Sequence, residues 1–380
     1  LFNICKLKIT ELLRKKIIVS VISDLVTDQR VQKECNTLHH MGYEVLLIGR
    51  KSKRNFLLNE LPYKAIRFPN PFRRGPLMYF VFNTQLFLYL FFKRADVLWA
   101  NDLDTLLPNF IIYRLKKIKL VYDSHEYFTL TVNKKTSRKV WEKLENILFP
   151  RLKNVISVND SIKKVYEKKY NVPITVIRNV PYIFVRVEGA EEIIFPGNKK
   201  ILIMQGIGLN ENRGAEEAIL MMQFLPDDFM LYFIGWGTVL DKLKKIVLDL
   251  QLDSKIIFIA PLPYKQMMEY TRQCFLGLVF VKINLNDAHL FTLPNKFFDY
   301  IQAGIPVVAS KGLEIQRIID KYNIGAYLNS LEPSEIAEEI LHISNNVEYN
   351  TWKQNTISAS KELCWENEQT VLIDFMNNLK

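Results

Sequence analysis

Short apolar runs rich in β-branched residues recur along the chain, and between them apolar residues return every three to four positions. In the first half the runs are KIIVSVIS, YEVLLIG, DVLWAN, KLVYDS, NVISVN and ITVIRN. Amphipathic stretches such as QRVQKECNTLHHMG and SRKVWEKLENILFPRLK separate them. In the second half ILIMQG, FMLYFIG, KIIFIA, CFLGLVFV, IPVVAS and GAYL alternate with stretches such as GAEEAILMMQFL and LDKLKKIVLDLQL. Unbroken apolar strands indicate parallel sheets covered on both faces, whereas a sheet with one wet face alternates apolar and polar residues. The pattern predicts an α/β chain of two Rossmann-like, doubly wound parallel-sheet domains, each with its loops at the carboxyl ends of its strands.

Both periodicities lapse over NVPYIFVRVEGAEEIIFPGNKK, Asn179 to Lys200. The expected division is a first domain over 1–182 and a second over 183–360. The stretch 361–380, ending LCWENEQTVLIDFMNNLK, reads as a helix without a strand partner and is expected to pack back on the first domain.

Of the 380 residues, 49% are hydrophobic and 24% charged, a globular composition long enough for two cores. The four cysteines, Cys5, Cys35, Cys274 and Cys364, form no C-x-x-C pair, which favours free thiols over a disulfide framework or a zinc site. The opening LFNICKLKITELLRKK lacks the apolar core and cleavage site of a secretory signal, so a cytoplasmic location is expected. Charge is uneven: residues 1–190 carry +18 and residues 191–380 carry −7. A basic half points to an anionic partner, with nucleic acid, a membrane surface and phosphorylated carriers all open at this stage. GPLMYFVFNTQLFLYLFF, Gly75 to Phe92, lies between Arg73–Arg74 and Lys93–Arg94. As a helix of about 27 Å it falls short of a ~30 Å hydrocarbon core and would place Asn83, Thr84 and Gln85 at mid-bilayer. A helix packed within the domain is expected, with a membrane-surface helix as the alternative.

Candidate chemistry gathers at strand ends. In ILIMQGIGLNENRGAEEA, Gly206 and Gly208 would let the backbone approach a ligand, and Arg213 adds a planar fork of donors suited to phosphate. The bland reading is a plain strand-to-helix turn. A further loop, FIGWG, repeats the glycine signal at Gly235. In LPNKFFDYIQAGIPVVAS, Pro294 favours a helix start, Lys296 adds charge to its first turn, and Asp299 shares a face with Asn295 and Lys296. A diphosphate held between Arg213 and this helix would leave Asp299 to accept from a ribose diol. A solvated Lys–Asp pair is the bland reading here. Three such loops in one domain predict a nucleotide-diphosphate site that includes Thr292, Leu293 and Asn295.

In the first half, VISDLVTDQRVQKE places Asp28 and Arg30 in the first strand-to-helix loop. VYDSHEYF places Asp123, His125 and Glu126 just past another strand. A histidine between carboxylates exchanges protons, orients a sugar hydroxyl, or is simply satisfied by its neighbours. Asp102-Leu103-Asp104 has a D-x-D spacing, but an N-cap is expected over a metal ligand, with Asp102 still lining the site.

These motifs together resemble the family 4 retaining glycosyltransferases of GT-B architecture. The resemblance runs from DQRVQKECNTLHHMGYEVLLIGR through VYDSHE to NKFFDYIQAGIPVVAS and the WENE tail. It is most specific at the N-K-x-F-[ED]-Y-x-x-x-G-x-P-V-V pattern over Asn295–Val308. It implies a second domain that binds a nucleotide-diphosphate sugar, a first domain that binds a saccharide or lipid-linked saccharide acceptor, and transfer with retention in a cleft. Arg213 and Lys296 would meet the diphosphate, Asp299 the ribose and His125 the transferred sugar, with Asp28 and Arg30 facing the donor. No cofactor and no metal are expected. Cell-surface polysaccharide or lipopolysaccharide synthesis on the inner face of a membrane would be the setting. Two departures stand out: Phe291 occupies a position acidic in many members, and Asn210 and Glu211 stand where a further cation is usual. The rival classes are a sugar-nucleotide epimerase of similar fold and a non-catalytic polyanion-binding protein. Interleaved aromatic and basic motifs for single strands are missing, so nucleic acid is not an expected partner.

Overall fold

The computed structural model describes residues 14–23, 25–26, 28–51, 58, 61–132, 134–186, 192–206, 209–282 and 288–380. The chain divides into unit 1, Leu1–Asn179 with Glu368–Lys380, and unit 2, Val180–Asn367.

In unit 1 the strands are β1 (Lys16–Ser20), β2 (Glu44–Arg50), β3 (Lys64–Phe68), β4 (Val97–Asn101), β5 (Lys119–Ser124), β6 (Asn154–Ser157) and β7 (Ile174–Val176). They form one parallel sheet in the order β3-β2-β1-β4-β5-β6-β7. The connecting helices are α1 (Gln29–His40), α2 (Pro76–Phe92), α3 (Leu103–Lys116), α4 (Phe128–Thr131), α5 (Lys135–Leu148) and α6 (Asp160–Tyr170). Unit 2 repeats the scheme with β8 (Lys200–Gly206), β9 (Phe229–Gly235), β10 (Ile256–Ile259), β11 (Leu276–Val279), β12 (Val307–Ser310) and β13 (Gly325–Leu328). Their order is β10-β9-β8-β11-β12-β13, again all parallel. Its helices are α7 (Ala215–Leu220), α8 (Leu240–Asp249), α9 (Tyr264–Thr271), α10 (Asn295–Ala303), α11 (Leu313–Tyr322), α12 (Pro333–Asn345) and α13 (Glu348–Glu362). The last helix, α14 (Trp365–Asn377), starts in unit 2 and continues into unit 1.

Both sheets reverse their winding at one seam, β1/β4 in unit 1 and β8/β11 in unit 2. Loops leave a seam in opposite directions, so a crevice opens there at the carboxyl ends of the strands. The strands are buried because helices cover both faces: every residue of β4, β6, β9, β11 and β12 is buried. In unit 2 Leu202 and Met204 belong to one apolar cluster and Ile201 and Ile203 to another. Successive residues of a strand point to opposite faces, so these two cores lie on either side of the sheet.

The apolar stretch after Gly75 forms α2, 17 residues long, and Met78, Phe82, Leu86 and Leu90 are buried along one side. Its polar residues have protein partners: Asn83 Nδ2 donates to the Asp104 carbonyl at 2.9 Å and Gln85 Nε2 to that of Pro69 at 3.0 Å. Among the described residues no helix is long and apolar enough to cross a membrane. The tail from Glu368 to Lys380 is fastened to unit 1. Arg178 donates to Glu368 through its backbone N–H at 2.8 Å and its guanidinium at 3.0 Å, and the Lys380 N–H donates to Asn154 Oδ1 at 2.9 Å.

Candidate functional site

The seam of unit 2 is built from the inside outward. Tyr300 on α10 is fully buried with its ring against Gly277 of β11, where a Cβ would come within 2.3 Å of the ring. Its hydroxyl accepts from the Gln205 N–H at 3.1 Å and donates to the Ile203 carbonyl at 3.1 Å. This interlock fixes α10 across β8 and β11 and places its first turn at the seam. Asp299, one residue earlier, is buried and accepts from Tyr264 at 3.0 Å and from Gln205 Nε2 at 3.3 Å. Thr271 in turn donates to Gln205 Oε1 at 2.6 Å, so the carboxylate stands in an ordered chain of donors.

Arg213, in the loop after β8, lies near enough to Lys296 on α10 for its charge to be felt there. That loop is pinned on both sides. Asn210 Oδ1 accepts from the Thr238 N–H and hydroxyl, both at 3.0 Å, and the Lys282 N–H donates to the Asn212 carbonyl at 3.0 Å. Two carboxylates that share a pocket with Arg213 are already engaged, Glu216 by Lys242 at 2.8 Å and Glu217 by Lys282 at 2.6 Å. Among the described residues neither Arg213 nor Lys296 has a carboxylate partner. Burial, and then the like charge of Arg213, lower the Lys296 ammonium to about 8. Two like charges at a strand-end crevice repel each other, and an anion between them would relieve that repulsion.

The glycines divide the work differently from the sequence expectation. Gly206, with φ +121°, faces open space and leaves room at the seam. Gly235, with φ +141°, instead permits the two loops to touch, since a Cβ there would lie 2.0 Å from the Gly206 carbonyl oxygen. Gly208 lies outside the described residues. Thr292 and Leu293 are half-buried in the segment leading to α10, and Asn295 is exposed as its first residue. A pocket of about 210 Å³ opens beside Arg213, lined also by Glu216, Glu217, Lys242 and Lys282. Lys296 and Asp299 do not line it, and two of its lysines are paired with two of its glutamates.

In unit 1 the ends of β4 and β5 carry Asn101, Asp102, Asp123 and, one residue beyond β5, His125. His125 Nε2 lies 3.0 Å from Asp123 Oδ2 and from Asn101 Oδ1, and Nδ1 lies 3.5 Å from Asp102 Oδ2. Burial opposes the imidazolium, but Asp102 and Asp123 outweigh it and push the pKa up to about 10. So raised, the ring tends to keep its proton at neutral pH, which favours a cationic role over proton exchange.

Arg30 and Asp123 also need correction. Both are buried, and Arg30 sits inside α1, not in a loop facing a ligand. Arg30 Nε and Nη2 donate to the two Asp123 oxygens at 2.9 and 2.8 Å, and Nη1 donates to the Ile177 carbonyl at 2.8 Å. Burial alone would raise Asp123, but Arg30 and His125 hold it well below the usual carboxylate range. Asp28 caps α1 through the Val31 N–H at 3.3 Å. Asp102 occupies the N-cap position of α3 without capping it. Its Oδ1 instead accepts the His125 N–H at 3.0 Å, and its backbone, at φ 58° and ψ 167°, lies in a region that costs a non-glycine residue about 1–3 kcal/mol. Glu126 is exposed.

Sequence reasoning missed Glu34, one helical turn after Arg30. It is buried, with Oε1 3.0 Å from Arg30 Nε, yet neither oxygen accepts a hydrogen bond. Burial, opposed by the charge of Arg30, raises its pKa well above the ordinary value. Glu34, Asp123 and His125 stand close enough to hold a metal ion, but the Arg30 guanidinium already supplies the positive charge between the two carboxyl groups.

The Glycosyltransferase Family 4 model matches residues 29–180, and the model of the Glucosyltransferase 3-like C-terminal domain matches residues 245–364. Residues 29–180 thus carry the family 4 glycosyltransferase domain, and the chain is a glycosyltransferase of family 4 type. No curated protein sequence matches it significantly. Solved structures share its fold. Sucrose-phosphate synthase from Thermosynechococcus elongatus aligns with a TM-score of 0.74 at 15% identity, over 96% of this chain and 98% of that one. Anabaena Alr3699/HepE, solved in complex with UDP, gives 0.74 at 14% identity, over 96% and 100%. WaaG, a glycosyltransferase involved in lipopolysaccharide biosynthesis, gives 0.72 at 13% identity, over 95% and 100%. The two parallel-sheet units of this glycosyltransferase are thus those of the GT-B architecture.

Proposed function

We propose that this glycosyltransferase transfers a sugar, with retention, from a nucleotide-diphosphate sugar to a saccharide or lipid-linked saccharide, in cell-surface polysaccharide or lipopolysaccharide synthesis. The carrying observation is the pair Arg213 and Lys296, two cations without carboxylate partners among the described residues at the β8/β11 seam. Departure of the nucleoside diphosphate builds negative charge on its β-phosphate. A fixed guanidinium and ammonium stabilise that charge without reorganising during the reaction. The departing phosphate oxygen takes the proton of the acceptor hydroxyl, since His125, its pKa pushed up to about 10, is an imidazolium at neutral pH with no ring lone pair to take it. Asp299, oriented by Tyr264 and Gln205, accepts from the ribose diol. Unit 1 serves the acceptor, with His125 as its cationic group.

The structures of HepE with UDP and of WaaG support a nucleotide donor and an envelope saccharide product. The test is titration calorimetry with UDP, GDP, ADP and inorganic phosphate, followed by turnover of the matching nucleotide sugar. Arg213→Ala and Lys296→Ala are each expected to lower turnover roughly ten- to thousandfold, and the product is expected to keep the donor's anomeric configuration by NMR. Wild-type turnover in both variants, or an inverted product, would reject the mechanism.

A further inference from the structure

We infer that the outer face of α2, with α3 beside it, seats this enzyme on an anionic lipid surface. Along α2, after its first residue Pro76, the exposed residues are Leu77, Phe80, Thr84, Leu88, Phe91 and Phe92, with Phe80 68% and Phe92 77% exposed. Their spacing of three to four residues gathers them into one stripe, while Met78, Phe82, Leu86 and Leu90 face the protein. Thr84, the one polar member, donates its hydroxyl to the Phe80 carbonyl at 2.8 Å and so adds no unmet polar group. α3 is tied to α2 through Asn83 and the Asp104 carbonyl, and through Lys116 Nζ, which donates to the Leu90 and Lys93 carbonyls at 2.7 and 2.6 Å. It adds exposed Leu107, Ile111 and Leu115, one helical turn apart. An apolar stripe of this length on a soluble surface marks an interaction site.

Charge selects the occupant. Arg73 and Arg74 precede α2, Lys93 and Arg94 follow it, all four are exposed, and no acidic residue occurs from Phe72 to Ala95. Exposed Arg114 and Lys117 continue the cationic rim at the end of α3. A second copy of this chain would bring those cations against their own counterparts, whereas an anionic headgroup layer complements them while its acyl region takes the leucines and phenylalanines. At 17 residues α2 is about 25 Å long and lies flat against unit 1 along its buried side, so the helix rests in the interface and does not span it. Nothing in this proposal depends on the donor reading.

The test is flotation of the full chain with vesicles of phosphatidylcholine alone or mixed with phosphatidylglycerol, beside light scattering for oligomeric state. Wild type is expected to bind the mixed vesicles, less strongly as salt rises, and the neutral vesicles weakly. Phe80→Ser with Phe92→Ser should weaken partitioning at least about tenfold. Arg73→Ser with Arg74→Ser should weaken it about fivefold per charge. All four side chains are exposed, so melting temperatures should hold, and a variant that melts much earlier is replaced by Leu88→Ser with Phe91→Ser. No binding, equal binding to both vesicles, or a dimer that Phe80→Ser with Phe92→Ser abolishes while vesicles are ignored would each overturn the proposal.

Discussion

Replacing Lys296 by methionine keeps the side chain's length and removes its charge, and the structure predicts opposite effects on stability and on binding. With the ammonium lowered from 10.5 to about 8 by burial and by Arg213, the charged form carries a penalty of at most about 3 kcal/mol. Ligand-free Lys296→Met should therefore gain about 1–3 kcal/mol, read as a melting rise of about 2–4 °C per kcal/mol for a unit of this size. A diphosphate seated between Arg213 and Lys296 reverses the balance. Charge-assisted bonds of this kind contribute about 1.5–3 kcal/mol each, so the variant should bind nucleoside diphosphate about 10- to 150-fold more weakly. The pH dependence follows from the same shift. The penalty is full below pH 8 and disappears as the pH rises from 8 to 10.5, so the variant's stability advantage should vanish over that interval. Binding pulls the ammonium back towards its ordinary value, so affinity should hold below pH 8 and fall above it. Scanning calorimetry with and without UDP, across pH, reads all three quantities. A variant that melts earlier without nucleotide and binds UDP as wild type does would refute the anion site.

Two further predictions concern unit 1. Asp102→Asn removes the carboxylate beside His125 Nδ1, so the imidazole pKa should fall from about 10 towards the ordinary 6.5 in an NMR titration; an unmoved titration would reject the assigned geometry. Because that pKa is raised on folding, its stabilisation is complete below pH 6.5 and lost as pH rises through 10, and the Asn variant should lose less over this range. Glu34→Gln, which imitates a protonated carboxyl, should change unfolding in urea by less than about 1 kcal/mol, whereas Asp123→Asn strands the buried Arg30 and should cost about 3–5 kcal/mol. Equal losses would mean that Glu34 is ionised.

The two strand series were legible because strands buried on both faces read as unbroken apolar runs. β3 was not: it is an edge strand carrying Lys64 and Arg67, and none of its residues is fully buried. Lys296 and Arg213 stood out because charge at a strand-end loop is a local signal. Their supports were invisible, since Gln205 and Tyr264 lie 94 and 35 residues from Asp299 and meet it only through the sheet. Arg30 was read as a loop residue facing the donor, and Glu34 carried no local signal that set it apart. Only the adjacency of β1, β4 and β5 brings Asp123, 93 residues away, onto the guanidinium. Asp102 was misread as a cap because a cap is the local use of an aspartate before a helix, while its partner His125 comes from the neighbouring strand's end.

The route of the chain has a practical outcome for anyone who wants the halves apart. Unit 1 is assembled from two separated stretches, and the second supplies buried Glu368 to Arg178 and Lys380 to Asn154. A gene cut after Asn179 would encode a polypeptide lacking its own closing strap, whereas grafting Glu368–Lys380 behind Asn179 through a short linker would restore it. Exchanging unit 1 between such chains must therefore move two segments together, and a tag fused after Lys380 reports on the unit encoded mainly by the first half of the gene.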